Sequence, residues 1–287
     1  MNHPDRSRPP EIAATVAAVR AAVAAARRAG RRIGLVPTMG ALHAGHLSLV
    51  RAARAECGFV VVSIYVNPSQ FAPHEDLAKY PRTLEADLAL LAGEADLVFA
   101  PGDVEVYRPG HATWVEVGDV AAPLEGQYRP GHFRGVATIV LKLFNMVQPD
   151  AAYFGQKDYQ QAQVIRRMTA DLDVPIELRV CPTVREPDGL AMSSRNRYLS
   201  PAGRQQAVAL SRSLELARSL VAAGERDAAR IAARMRETIL AAGEAAIEYA
   251  TLVDAETLRP VAQVAGPTLA ALAVRIESTR LIDNCLL

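Results

Sequence analysis

Two histidines, three residues apart, close the segment Met39-Gly40-Ala41-Leu42-His43-Ala44-Gly45-His46, whose other positions are mostly small. A short apolar strand over residues 32–37 precedes it, and apolar spacing predicts a helix over residues 47–56, so the segment is a strand-to-helix turn. At a helix start, unpaired N–H groups and the positive end of the helix dipole favour an anion. Two imidazoles there can donate to phosphate oxygens and stabilise charge as a pyrophosphate departs. Other readings stay open. His43 and His46 could form a metal pair, but no third ligand lies near in sequence and the His-Glu-x-x-His context is lacking. They could also be two surface histidines on a helix cap. The spacing does not fit the Gly-x-Gly-x-x-Gly dinucleotide fingerprint.

Further polar clusters fall at other loop positions. Met192-Ser193-Ser194-Arg195-Asn196-Arg197 sets hydroxyls beside guanidinium groups, a donor set suited to triphosphate oxygens or to a structural salt bridge. Phe154-Gly155-Gln156-Lys157-Asp158-Tyr159-Gln160-Gln161 is another strand end turning into a helix; Lys157 suits a phosphate, and Asp158 suits ribose, magnesium or an N-cap. Lys157 is one of only three lysines, with Lys79 and Lys142, among 32 basic residues. In Val66-Asn67-Pro68-Ser69-Gln70-Phe71, Asn67 and Gln70 offer neutral donors and acceptors to a small polar substrate, or make an ordinary Asn-Pro turn. Tyr80 and Asp87 follow nearby, and Asp87 is the carboxylate offered to a metal ion. The stretch from Leu124 to Val136 reads as a lid or a turn, with no catalytic role for His132 or Arg134.

The elements that must position these clusters alternate. Strands are predicted over residues 32–37, 59–66, 97–100, 151–154 and 176–180. Helices are predicted over residues 12–29, 47–56, 83–92, 134–147 and 160–171. This is the pattern of a Rossmann-like α/β fold, a doubly wound parallel sheet. From about residue 184 the order changes to helices over 202–223 and 227–242, then strands over 246–252 and 269–276. That predicts a smaller C-terminal α+β lid domain, residues 184–287, after a nucleotide- and substrate-binding domain of residues 1–183.

Composition excludes several classes. With 287 residues, half of them hydrophobic, the chain buries a sizeable core, and its net charge of +1 supplies no bulk field for nucleic acid or an anionic membrane. Cys57, Cys181 and Cys285 are far apart and odd in number, which points to a reducing, cytoplasmic setting. Met1-Asn2-His3-Pro4-Asp5 lacks the order of a secretory leader, and Arg20, Arg27 and Arg28 interrupt a run too weakly apolar to span a bilayer.

Taken in order, His43-x-x-His46, Asn67-Pro68-x-Gln70-Phe71, Arg129-Pro130-Gly131-His132-Phe133-x-Gly135-Val136, Phe154-Gly155-Gln156-Lys157-Asp158-x-Gln160-Gln161 and Met192-Ser193-Ser194-Arg195-Asn196 resemble the pantothenate synthetase (pantoate–β-alanine ligase) family. The match runs from about residue 35 to 199, and the terminal Arg280-Leu281-Ile282-Asp283-Asn284 is compatible with it. The first motif alone also admits the wider nucleotidyltransferase superfamily, including class I aminoacyl-tRNA synthetases. Where those carry Lys-Met-Ser-Lys-Ser, this chain has Met192-Ser193-Ser194-Arg195, which favours the ligase.

The resemblance implies adenylation of (R)-pantoate by MgATP, then attack by β-alanine with release of AMP. It implies an ATP site of Met39, Gly40, Ala41, Leu42, His43, Ala44, Gly45, His46, Gly155, Gln156, Lys157, Asp158, Val184, Met192, Ser193, Ser194 and Arg195. His46, His43 and Lys157 would carry catalysis. Gln70, Gln161 and Asn67 would hold pantoate, with Gln70 also bordering β-alanine. It further implies Mg²⁺ with the nucleotide and a cytosolic homodimer built through the first domain. Another nucleotidyltransferase, or a non-catalytic nucleotide-binding protein, are the alternatives.

Overall fold

β-branched runs that are apolar throughout suit strands covered on both faces, and here they form a parallel sheet. In the structure, a computed structural model that describes residues 9–72 and 77–287, this sheet has six strands. They are β1 (Glu11–Ala13), β2 (Ile33–Thr38), β3 (Phe59–Ile64), β4 (Leu97–Phe99), β5 (Ala151–Gly155) and β6 (Glu177–Cys181), in the order β1-β4-β3-β2-β5-β6. Every pairing is parallel. Leu35, Val36, Val60, Val61, Val62, Val98 and Phe99 are fully buried. Residues 1–8, on which the leader reading rests, lie outside the described residues.

From β2 the chain winds outward through β3 to β4, then returns across β2 to β5 and β6. This Rossmann-like order reverses between β2 and β5, and open α/β sheets bind ligands at the carboxyl ends of the strands flanking such a reversal. The connecting helices are α1 (Val16–Arg28), α2 (Ala44–Glu56), α3 (Leu84–Leu91), α4 (Asp103–Val106), α5 (Glu125–Tyr128), α6 (His132–Val147) and α7 (Tyr159–Asp171).

After β6 come α8 (Pro201–Ala222) and α9 (Ala228–Leu240), then an antiparallel sheet of β7 (Ala246–Asp254), β8 (Thr268–Ile276) and β9 (Thr279–Leu286). Ser200 caps α8 by accepting the Gly203 N–H at 3.0 Å, with Pro201 in the first turn, and Asp227 caps α9 by accepting the Arg230 N–H at 3.0 Å. Leu210, Leu214, Ile231 and Met235 of these helices pack with Leu252, Leu272 and Val274 of the sheet into one core. Such side chains each contribute about 1.5–3 kcal/mol on burial.

The chain forms two compact units. The first comprises residues up to Val117, Arg129–Gly155 and Val164–Cys181; the second comprises Gly118–Tyr128, Gln156–Gln163 and Pro182–Leu287. The second therefore takes two short segments from within the N-terminal 183 residues. Two strands depart from the sequence-based expectation. Residues 11–13 are an edge strand paired with β4 rather than the start of the first helix, which begins after Thr15, whose Oγ1 accepts the Ala18 N–H at 3.2 Å. Residues 279–286 form β9, hidden in the sequence by the polar Arg280, Asp283 and Asn284.

Candidate active site

The turn from β2 into α2 is built from the left-handed region of backbone space. Gly40 has φ +79° and Ala41 φ +51°. A Cβ on residue 40 would lie 3.0 Å from Asp87 Oδ2 and 3.1 Å from Ile64 Cγ2, so glycine meets both conformation and space. Asp87, on α3 and 1% exposed, holds the next two residues: Oδ2 accepts the Ala41 N–H at 3.0 Å and Oδ1 the Leu42 N–H at 2.8 Å. Thr83 Oγ1 lies 3.3 Å from each oxygen. The sequence offered Asp87 to a metal, but a carboxylate engaged by two amides and a hydroxyl does not fit that use. Its work here is to pin the turn.

The two histidines cap α2 reciprocally. His43 Nδ1 accepts the Gly45 N–H at 3.1 Å, and His46 Nδ1 accepts the His43 N–H at 3.3 Å. Their ring centroids are 4.1 Å apart. With Nδ1 accepting, each neutral imidazole carries its proton on Nε2. The backbone is also committed: the Gly40 N–H donates to Thr38 Oγ1 at 3.2 Å and the His46 N–H to the His43 carbonyl at 2.9 Å. The sequence pointed to unpaired backbone N–H groups as the anion donors. Those of Gly40, Ala41, Leu42, His43, Gly45 and His46 instead have protein acceptors. The donors this turn offers a phosphate therefore include the imidazole Nε2–H groups, with the helix dipole behind them.

Past β3, Asn67 is 1% exposed and fully engaged. Nδ2 donates to Gln70 Oε1 and to the Gly135 carbonyl, each at 3.2 Å, while Oδ1 accepts from Ser69 Oγ at 3.0 Å and Tyr107 Oη at 2.9 Å. Burial raises the Tyr107 phenol despite the hydrogen bonds to Ser69 and Asn67, so it remains a neutral donor. The sequence set Asn67 among the pantoate ligands; the structure gives it a different use, since its amide is saturated by protein and orients Gln70. Gln70 Nε2 donates to Met39 Sδ at 3.0 Å, joining this motif to the histidine turn.

His132 completes the support. Arg129 Nη1 donates to its Nε2 at 3.0 Å, and since arginine only donates, Nδ1 carries the proton and donates to the Gln70 carbonyl at 2.9 Å. Two residues beyond Phe133, a Cβ at Gly135 would fall 2.3 Å from the Ser69 carbonyl oxygen and 2.7 Å from the Gln70 nitrogen. Tyr107, Gly135 and His132 thus position Gln70, a role sequence missed. The Arg-Pro-Gly-His-Phe-x-Gly run was the available signal. Tyr80 packs edge-on against Phe71, 6.0 Å between centroids, and Arg134 lies over Trp114 at 4.8 Å.

In the first unit the structure therefore brings together Met39, Gly40, Ala41, Leu42, His43, Ala44, Gly45, His46, Asn67, Gln70 and Asp87, and β5 ends there at Gly155. Gln156, Lys157, Asp158, Gln161, Val184, Met192, Ser193, Ser194 and Arg195 belong to the second unit. There, Asn284 Nδ2 on β9 donates to the Gln156 and Lys157 carbonyls at 3.0 and 2.9 Å, fixing a 3-10 turn in which Lys157 Nζ lies 4.0 Å from Asp158 Oδ1. Gln160 is buried and bridges the Val120 and Pro123 carbonyls to the Glu125 N–H, whereas Gln161 is half-buried.

Glu125 accepts both terminal nitrogens of Arg280 at 2.6 Å and the Tyr249 hydroxyl at 2.7 Å. Burial would lower the Arg280 guanidinium, but Glu125 and Glu248 outweigh it and hold the charge. The Val184 carbonyl accepts the Met192 N–H at 2.9 Å, and Arg185 grips Asp283 at 2.7 and 3.0 Å. Ser193 Oγ accepts the Arg195 N–H at 3.2 Å. Ser194 opens the next 3-10 turn. Among the described residues, no group of three or more His, Cys, Asp or Glu side chains is arranged to hold a metal ion.

Comparison with known proteins adds an independent line. The family model for pantoate-beta-alanine ligase matches residues 11–286. The pantothenate synthetase of Roseiflexus castenholzii is 58% identical over 256 residues, covering 89% of this chain and 92% of that protein. The crystal structure of pantothenate synthetase from Thermus thermophilus superposes with a TM-score of 0.91 at 48% identity, over 96% of this chain and 98% of that one. That of the pantoate-beta-alanine ligase from Francisella tularensis, complexed with beta-gamma ATP and beta-alanine, gives 0.79 at 33% identity, over 96% and 97%.

Proposed function

This chain belongs to the pantoate–β-alanine ligase family, and from that premise we propose that it joins (R)-pantoate to β-alanine in two steps at one nucleotide site. The pantoate carboxylate attacks the α-phosphate of MgATP, pyrophosphate leaves, and a pantoyl adenylate forms. The β-alanine amine then attacks the acyl carbon and AMP leaves. The observation that carries this reading is the contact between Gln70 Nε2 and Met39 Sδ at 3.0 Å. An acid held by the Gln70 amide sits beside the turn that bears His43 and His46.

Adenylation needs charge stabilised on departing pyrophosphate, because a carboxylate nucleophile is already ionised at neutral pH. His46 supplies this as a neutral Nε2–H donor. Protonating its Nδ1 would put a hydrogen against the His43 N–H and break the cap that orients both rings. His43 donates beside it. Lys157, Ser193, Ser194 and Arg195 neutralise the triphosphate, with Gly155, Gln156, Asp158, Val184 and Met192 completing the nucleotide site. Gln70 and Gln161 bind pantoate, Gln70 borders β-alanine, and Asn67 keeps Gln70 in place.

Magnesium arrives on the triphosphate as part of the substrate. The family resemblance further implies an enzyme of the cytoplasm that works as a homodimer built through its first domain, residues 1–183. We expect no nucleic-acid or membrane partner, because a net charge of +1 supplies no bulk field for either. Withholding β-alanine tests the two-step scheme. ATP and pantoate alone should give a single-turnover burst of pyrophosphate and a protein-bound adenylate. Pyrophosphate release that waits for β-alanine would overturn it.

A further inference from the structure

A cavity of about 560 Å³ lies in the first unit, lined by none of the residues assigned to the ligase chemistry. Arg20 of α1, Arg108 after α4 and Lys142 of α6 line it, against a single carboxylate, Glu105. Glu105 Oε1 already accepts the Val16 N–H at 2.6 Å, at the start of α1. Arg20, which is exposed, donates through Nη2 to the Asn145 carbonyl at 3.2 Å, a neutral acceptor. Lys142 Nζ stands 5.6 Å from the centroid of the Tyr107 ring. Among the described residues, none of the three cations has an ion pair.

His111 lines the same cavity, with its ring against Tyr107 at 5.0 Å and Trp114 at 5.1 Å. Burial, then Arg108, lowers the Lys142 amine, and a bound anion would reverse that. A neutral ligand would leave like charges facing one another. A singly charged carboxylate would balance too few of them. A phosphate group carries close to two charges and several acceptor oxygens, matching an arginine fork and a lysine point charge.

We infer that this cavity is a binding site for a small phosphate-bearing anion, held by Arg108, Lys142 and Arg20 and separate from the nucleotide turn. Its volume falls in the range of about 300–1,000 Å³ usual for small-molecule sites, so it admits a phosphate ester as well as the free ion. From here the contacts run through Tyr107 to Asn67 and Ser69, the network that orients Gln70.

Calorimetric titration of the full chain tests this, with the nucleotide site saturated by a non-hydrolysable ATP analogue and ionic strength held with sodium chloride. Inorganic phosphate and pyrophosphate are the probes, the second reporting whether the cavity takes a larger phosphate. The expected result is saturable binding of at least one probe, weakened tenfold or more in Arg108→Gln and in Lys142→Gln, with acetate giving no saturable heat. Arg108 is exposed on a turn, so its variant keeps the fold and the ligase activity. Absence of saturable binding, or an affinity within twofold of wild type in Arg108→Gln, would overturn the site. Normal ligase turnover beside that result would leave the ligase reading standing, and Arg108-dependent phosphate binding without turnover would do the reverse.

Discussion

At the scale of residues, the reciprocal His43–His46 cap decides what the histidines can do. A ring whose Nδ1 accepts a backbone N–H presents only its Nε2 to substrate, and that nitrogen donates. His46→Ala should lower the adenylation rate by roughly 10²–10³, as loss of a donor to developing charge does. His46→Gln should retain measurably more, since its amide can replace Nε2–H. Equal loss in both, read by rapid-quench formation of pyrophosphate, would point to proton transfer. Asn67→Ala tests positioning instead. It strips a partner from Gln70 Oε1, the Gly135 carbonyl and Tyr107, each buried polar group left unpaired costing about 1–3 kcal/mol. We expect the KM for pantoate to rise at least tenfold, with the KM for ATP changed far less. His43, His46, Gln70 and Lys157 were legible in the sequence because their types announce chemistry. Tyr107 was not, because a tyrosine 37 positions beyond Gln70 carries no local sign of the Asn67 Oδ1 it will reach.

At the scale of elements, α6 runs so close to the 3-10 turn Pro68–Gln70 that its Gly135 admits no side chain. Gly135→Ala must move Ser69 and Gln70 by about 1 Å, a displacement that can cost on the order of 10²-fold in rate. The expected outcome is a folded protein with an intact near-ultraviolet spectrum and turnover reduced by about that factor. Wild-type turnover would mean that the turn gives way freely. β9 does the same work in the second unit, where Asn284 holds the Lys157 turn and Arg280 holds Glu125. The sequence showed the central strands clearly, since runs such as residues 59–64 are apolar at every position but Ser63. It hid β9 because Arg280, Asp283 and Asn284 interrupt the apolar pattern, and their partners at Glu125, Arg185 and residues 156–157 are distant in sequence. The three-residue β1 is too short for any periodicity to register.

At the scale of the whole molecule, each unit has its own core, and Cys285 reports on the second. Burial pushes this thiol from its ordinary value of 9.0 up to about 11. The folded thiol therefore stays neutral while the unfolded one ionises. Stability contributed by Cys285 is constant below pH 9.0 and is lost as pH rises toward about 11. Cys285→Ala should flatten this alkaline limb of the denaturation midpoint, and a limb of unchanged slope would contradict the assignment. Sedimentation should give twice the chain mass of 30.8 kDa if the homodimer forms. The most direct measurement is product analysis by ³¹P NMR with ATP, Mg²⁺, pantoate and β-alanine. The ligase reading predicts AMP and pyrophosphate in equal amounts over many turnovers when pantoate and β-alanine are both present, and no more than one equivalent of pyrophosphate per enzyme when β-alanine is withheld. ADP with inorganic phosphate, or nucleotide turnover indifferent to pantoate, would contradict it.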